Sequence, residues 1–162
     1  MPGIIDVFTF EQLINIVQEE LRKSVLLTYV NDDSIIVTTK ALVEAPTFTD
    51  YLIRLSSPDS GFLSKHPRIG QYFRVEYFVG VDLWIKSSGK ATERLEEGVV
   101  QKKVGIWEFF DDVSRTLEHN NFDNQLDSYP GSNIGNPVTL PSDDSLLEGV
   151  GFIWYGNQNN LK

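Results

Sequence analysis

The sequence contains no cysteine and only two histidines among its 162 residues. The absence of cysteine excludes a disulfide scaffold, an iron–sulfur cluster, a zinc site with cysteine ligands and a cysteine nucleophile. His66 lies in the sequence KHPR and His119 lies near the end of a predicted helix. Neither histidine has the neighbouring nucleophile and orienting group of a hydrolytic triad. We therefore expect no catalytic residue and no bound metal.

Basic residues are also few, with 14 Lys and Arg against 23 Asp and Glu and a formal net charge of −9. Non-specific nucleic-acid binders neutralise phosphates with clustered cations, so this balance disfavours that class. No apolar run approaches the roughly 18 residues of a membrane span. No basic residue precedes Arg22. We therefore expect neither a signal peptide nor a membrane span, and a soluble protein made in a cytoplasm.

What the sequence does contain is enough apolar material for a core. Hydrophobic residues make up 41% of the chain and aromatic residues 12%. This composition excludes intrinsic disorder, and a chain of this length buries most of its unfolded surface without a disulfide. We predict one domain over residues 1–162.

Two amphipathic helices are predicted from apolar residues at positions i, i+3, i+4 and i+7. The first follows a capping box formed by Thr9 and Gln12 and runs to about Lys23. The second covers residues 101–119. Their apolar stripes are Phe10, Leu13, Ile14, Val17 and Leu21, and Ile106, Phe109, Phe110, Val113 and Leu117.

Alternating and β-branched residues predict strands between and after these helices. The predicted strands cover residues 25–30, 35–43, 48–55, 71–86 and 148–156. The first two are predicted to form an antiparallel hairpin. Segments rich in Pro, Gly and Ser predict long loops at 56–70, 87–98 and 123–145, and the last six residues are predicted to fray. This order predicts an α+β fold: a single mixed or antiparallel sheet with two amphipathic helices on one face.

Other patterns carry no recognisable chemistry. Adjacent acids such as Asp32 and Asp33 cannot face each other across a glycosidic bond. The sequences GSNIGN and GVGFIW match neither the dinucleotide fingerprint nor the Walker loop, so we expect no cofactor. The tryptophans Trp84, Trp107 and Trp154 are predicted to pack in the core, with an aromatic pocket as the alternative. Strand 148–156 is apolar on both faces, which indicates a subunit interface.

The order of elements then points to a family. It consists of a capped helix FTFEQLINIVQEELRK, a long strand VEYFVGVDLWIKSS, a second helix IWEFFDDVSRTLEHNN and a closing strand GVGFIWYG. This layout resembles the tail-terminator proteins of long-tailed bacteriophages, the group that includes the minor tail protein U of lambda-like phages. The resemblance covers nearly the whole chain and is one of layout, without a diagnostic motif.

The resemblance implies a non-enzymatic virion protein of the tail or neck, assembled in the host cytoplasm. It implies a homo-oligomeric ring, a hexamer, that caps the tail tube, stops its elongation and provides the joint to the head. The implied partners are copies of the chain, the tail tube protein and a head-completion or connector protein. DNA would pass through the lumen without specific binding.

No family motif can be transferred residue by residue, so the interface candidates come from this sequence alone. The candidate subunit or partner interface residues are Arg68, Glu96, Glu97, Ile134, Trp154 and Tyr155. Two alternatives stay open. The chain could be another neck component, such as a head-completion or connector protein, or a small-ligand-binding or enzymatic α+β domain with an aromatic pocket.

Overall fold

The first helix begins at the predicted capping box. A computed structural model describes residues 8–38, 50–67, 73–86, 93–94, 102–118, 133–141 and 147–160. Helix α1 spans Phe10–Lys23. The Thr9 hydroxyl accepts the backbone N–H of Gln12 at 3.1 Å, and the Gln12 side chain accepts the N–H of Thr9 at 2.9 Å. The capping box is therefore confirmed.

The second helix, α2, spans Ile106–Leu117 and lies beside α1. The Ser24 hydroxyl, which follows α1, is 2.7 Å from the Thr116 hydroxyl. Both helices bury the predicted stripes except at Phe10 and Phe110, which are only partly buried. Phe110 packs edge-on against Phe152 with ring centroids 5.4 Å apart. The buried stripe residues are Leu13, Ile14, Val17 and Leu21, and Ile106, Phe109, Val113 and Leu117.

Within the described ranges, seven strands form the main sheet, and two more form a separate pair. The main strands are β1 (Ile35–Val37), β2 (Tyr51–Ser56), β3 (Leu63–Pro67), β4 (Phe73–Lys86), β7 (Asn133–Ile134), β8 (Val138–Leu140) and β9 (Leu147–Asn160). The separate pair is β5 (Glu93–Arg94) with β6 (Lys102–Lys103).

The main sheet has the order β1-β2-β4-β9-β7, with β3 also paired to β4 and β8 also paired to β9. Among the strands that the structure describes, only β1 and β2 pair in parallel, so the sheet is mixed. Both helices pack on the same face of this sheet. The predicted α+β class, with a single main sheet and two amphipathic helices on one face, is confirmed.

The two longest strands form the centre of the sheet. β4 and β9 pair along their whole lengths, from Phe73 opposite Asn160 to Lys86 opposite Leu147. Beneath the helices, alternate residues of these strands form the apolar core, which is completed by residues of β1 and β2. The largest contributions from the strands are Ile35, Ile53, Leu55, Tyr77, Val79, Val81, Leu83, Phe152 and Trp154.

The predicted hairpin at the start of the sheet is wrong. Val25–Leu27 and Asp32–Ser34 are short 3-10 helices, and β1 pairs in parallel with β2. The Ser24 hydroxyl accepts the N–H of Leu26 at 3.2 Å and so stabilises a local turn. Leu27 reaches the core from that turn, which shows why apolar residues there do not require a strand. Residues 39–43 of the predicted second strand lie outside the described residues.

The three predicted loops contain short strands. β3 lies within 56–70, β5 within 87–98, and β7 and β8 within 123–145. β9 also continues to Asn160, through residues predicted to fray. The long strands β4 and β9 offer backbone N–H and C=O groups along their edges, and pairing there does not need an alternating side-chain pattern. The rest of the predicted loops lies partly outside the described residues.

Candidate functional site

The sheet face opposite the helices, here called the rear face, carries the charged and exposed apolar residues of the central strands. Because paired residues of neighbouring strands share a face, the register assigns these positions directly. On β4 the rear residues are Arg74, Glu76, Phe78, Gly80, Asp82 and Trp84. Opposite Glu76 to Trp84 on β9 are Asn157, Tyr155, Ile153, Gly151 and Gly149.

An ion pair lies at the centre of the rear face. Arg54 of β2 lies opposite Asp82 of β4, and its Nη2 donates a hydrogen bond to the Asp82 carboxylate. The Arg54 side chain is 2% exposed and that of Asp82 is 15% exposed. Arg54 Nε and Nη1 have no hydrogen-bond partner in the described part of the chain. Loss of Asp82 alone would therefore leave a buried, uncompensated charge.

Trp84 lies flat against the strand next to this ion pair. A Cβ atom at Gly149 would be 2.6 Å from Trp84 Cζ3, so only glycine admits the indole there. Leu52 is buried with Trp84, and Leu140 covers the neighbouring strand position. The two glycines in GVGFIW thus make room for side chains on the rear face and do not form a nucleotide loop.

A polar network lies toward the other end of the rear face. The Tyr155 hydroxyl accepts a hydrogen bond from Arg74 Nη2 and donates to Glu76 Oε1 at 3.2 Å. Arg74 Nη2 is also 2.7 Å from Glu76 Oε1, so these two side chains form an ion pair. Burial raises the pKa of the Tyr155 phenol, while the hydrogen bond from Arg74 opposes this shift. Asn157, opposite Glu76, is fully buried, and neither atom of its amide has a partner among the described residues.

Apolar side chains, two of them exposed, lie beside the ion pair and between it and this network. The rear patch consists of Phe78, Val138, Ile153 and Tyr155. Phe78 and Tyr155 are direct cross-strand partners with ring centroids 5.6 Å apart. Val138 is 59% exposed and Ile153 is 37% exposed. Because the hydroxyl of Tyr155 is held by two charged residues, its ring is fixed as part of this surface.

The six predicted interface residues do not come together. Trp154 is completely buried in the helix-side core, where its indole N–H donates to Leu117 O at 3.3 Å, so it has no surface for a partner. Ile134 lies on the helix side, partly buried against the same core. Tyr155 lies on the rear face. The remaining three candidates, Arg68, Glu96 and Glu97, lie outside the described residues.

The three tryptophans do not share a pocket. Trp84 is on the rear face, Trp154 is beneath the helices, and Trp107 is 70% exposed on the outer surface of α2. The prediction that all three pack in the core is therefore wrong for Trp107. The helical spacing gave a signal for this, since Trp107 falls outside the stripe that begins at Ile106 and continues at Phe109.

Sequence reasoning missed the rear ion pair and part of the rear patch. Arg54 and Asp82 each interrupt an otherwise apolar strand, and this interruption was the available signal. Val138 falls in the segment 123–145 that is predicted as a loop, and nothing in the sequence indicates that it pairs with β9. His66 lies in β3, where a loop was predicted, and His119 lies outside the described residues.

The described residues hold no group of three or more His, Cys, Asp or Glu that could bind a metal ion. None of the described helices has the length and apolar character needed to cross a membrane. None of the protein-family models compared with this sequence matches it, and no curated protein does.

Proposed function

We propose that the protein is a structural component of a phage tail that assembles with copies of itself into a terminator ring. The observation that supports this proposal is the presence of exposed apolar surface on opposite sides of the molecule. The rear patch lies on one side of the sheet. Trp107 lies on the helix side, 70% exposed on the flank of α2 beside its buried stripe.

A ring of identical subunits needs two different surfaces that complement each other head to tail. A two-layer molecule whose apolar surfaces lie on opposite sides meets this requirement without any change of fold. A large exposed aromatic residue is also typical of the residues that contribute most to protein interfaces. In the proposed ring, Trp107 of one subunit packs against the rear patch of the next.

The charge of the chain is compatible with a ring around DNA. The formal net charge is −9, and an acidic lumen repels phosphates instead of gripping them. The proposed partners are the tail tube protein on one side and a head-completion or connector protein on the other.

The first test compares Trp107→Glu and Ile153→Asp with the matched control Val25→Asp. Val25 is apolar and 84% exposed but belongs to neither proposed surface. We expect the first two variants to stay folded monomers while the parent and the control form rings, measured by native mass spectrometry and electron microscopy. A ring that survives both changes, or a parent chain that is monomeric at every concentration and absent from particles, would refute the proposal.

The second test separates a terminator from another neck component. The variants are supplied to a phage that lacks its own copy of this gene, and the lysate is imaged. We expect tails of uncontrolled length, because termination needs the closed ring. Tails of normal length beside free heads would instead assign the chain to the joint.

A further inference from the structure

A small cleft lies at the edge of the helix side, away from both the rear patch and Trp107. This tyrosine cleft is lined by Tyr29, Asn31, Ser34, Asp50 and Tyr51, is partly open to solvent and has a cavity volume of about 20 Å³. A cavity needs about 10–15 Å³ to hold one water molecule, and an ammonium group is of similar size. The tyrosine cleft therefore has room for the head group of a side chain or a small ion, but not for a nucleotide.

The aromatic walls of the cleft are held in place from behind. The Tyr29 hydroxyl donates to Asp112 Oδ2 at 2.7 Å. The Tyr51 hydroxyl donates to Val104 O at 3.0 Å and accepts the Val104 N–H at 2.7 Å. The two rings meet edge to face with centroids 5.0 Å apart. Since both hydroxyls are engaged elsewhere, the two tyrosines form a fixed wall, and the surface that the cleft exposes is mainly polar.

The rim of the cleft carries three groups that can accept hydrogen bonds. Asn31 precedes a short 3-10 helix but makes no capping bond with its side chain. No hydrogen bond or ion pair connects the Asn31 amide, the Ser34 hydroxyl or the Asp50 carboxylate to any residue that the structure describes. The rim therefore combines three acceptors of different kinds, one of them negatively charged.

The charges around the cleft favour a cation. Asp50 contributes one negative charge on the rim, and Asp112 contributes a second behind Tyr29. Arg22 reaches the neighbouring turn, where its Nε donates to Asp32 O at 3.2 Å, but its charge is paired with Glu19 at 3.2 Å.

We propose that the tyrosine cleft binds a primary ammonium group, carried by a lysine side chain or by a free alkyl diamine. An ammonium group has three donors and no acceptor, which matches the three acceptors on the rim. It is also compact, whereas the planar fork of a guanidinium group suits a single carboxylate. Binding at the cleft is independent of ring assembly, because the cleft and the proposed ring surfaces share no residue.

The test is an NMR titration of the full chain with Nα-acetyl-lysine methylamide. We expect the amide signals of Asn31, Ser34 and Asp50 to move, with a dissociation constant on the order of millimolar. The Asp50→Asn variant should bind roughly tenfold more weakly, since a charge-assisted hydrogen bond is lost. The matched control is Asp59→Asn, an exposed acid beyond the other end of β2, roughly 20 Å away along the strand. It should bind like the parent.

Control measurements decide the outcome. Nα-acetyl-norleucine methylamide has the same chain without the ammonium group, and equal shifts with it would overturn the proposal. Equal weakening by Asp59→Asn, or equal shifts from sodium or potassium chloride, would overturn it as well. 1,4-Diaminobutane distinguishes the two sources: tighter binding than the lysine derivative assigns the cleft to a free diamine, and weaker or equal binding assigns it to a lysine side chain. Unchanged amide spectra away from the cleft show that each variant is folded.

Discussion

The two faces of the sheet use the same strands in different ways. On the helix side, buried polar groups are matched: the Trp154 indole donates to Leu117 O, and the Tyr77 hydroxyl lies 2.8 Å from Gln158 Oε1. On the rear face, Arg54, Arg74, Trp84 and Asn157 all contain buried polar atoms without a partner among the described residues. In these strands, the buried polar atoms named on the helix side therefore have hydrogen-bond partners, whereas several on the rear face have none among the described residues.

This difference indicates that the helix side serves the stability of the fold and that the rear face is available for another role. A buried polar group without a partner costs about 1–3 kcal/mol, so matching is strongly favoured wherever stability alone decides the residue. Natural proteins keep unmatched groups mainly where another requirement applies. The rear face, with its ion pair and exposed apolar patch, fits that second description.

The largest effect is expected on the helix side. Phe109 is fully buried, so Phe109→Ala should lower the free energy of unfolding by about 3–5 kcal/mol, measured by urea denaturation. Phe110→Ala should cost clearly less, because that ring is only partly buried against Phe152. Equal losses for the two variants would show that the boundary of the helix-side core is misplaced.

The ion pair tests the rear face directly. Asp82→Asn should cost about 3 kcal/mol, since it leaves the Arg54 charge buried without its partner. The double variant Arg54→Met with Asp82→Leu should recover most of this loss, because apolar replacements of buried ion pairs are often neutral. A double variant as unstable as Asp82→Asn would mean that the pair stabilises the fold beyond compensating its own burial.

A glycine comparison tests how tightly the rear face is packed. Gly149→Ala places a Cβ 2.6 Å from the Trp84 ring and should cost about 1–3 kcal/mol by overpacking. The control is Gly135→Ala, where the nearest atom would be at an ordinary 3.5 Å and no such penalty is expected. Thermal melting of the two variants gives the comparison, and an undisturbed Gly149→Ala would show that Trp84 can move.

The smallest effect is expected in the rear patch. Ile153→Thr should change stability by less than about 0.5 kcal/mol, as is usual for surface positions. Val150→Thr, three residues earlier on the helix side of the same strand, should cost more because a hydroxyl enters the core. If Ile153→Thr lowers the stability of the monomer as much as Val150→Thr does, the rear patch contributes to the fold and is not free for a partner.

Periodicity predicted the parts of this fold that local side-chain patterns encode. The capping box at Thr9, the stripes of both helices and the long strand β4 follow from spacing alone. The hairpin failed because a parallel partner, β2, depends on contacts across the sheet that no local pattern reports. Short strands such as β3 form because β4 offers an edge, which the residues of β3 do not reveal.

The candidate site was less predictable for a related reason. Alternation showed that β9 is apolar on both faces, but it could not say which face the helices would cover. Trp154 and Tyr155 are neighbours in sequence and were equivalent candidates until the position of the helices separated them. The pairing of Arg54 with Asp82 likewise depends on the register between β2 and β4.

The pairing of β4 with β9 also determines when the fold can form. The whole chain segment 87–146 separates these strands, and contacts between distant residues slow folding. Because β9 is central, neither the ladder nor the buried face of β4 can be completed before residues 147–160 leave the ribosome. Until then β4 exposes an unpaired edge and an apolar face, the features that make folding intermediates aggregate. We therefore expect a chaperone that shields β4 to reduce aggregation during synthesis until β9 has emerged and paired.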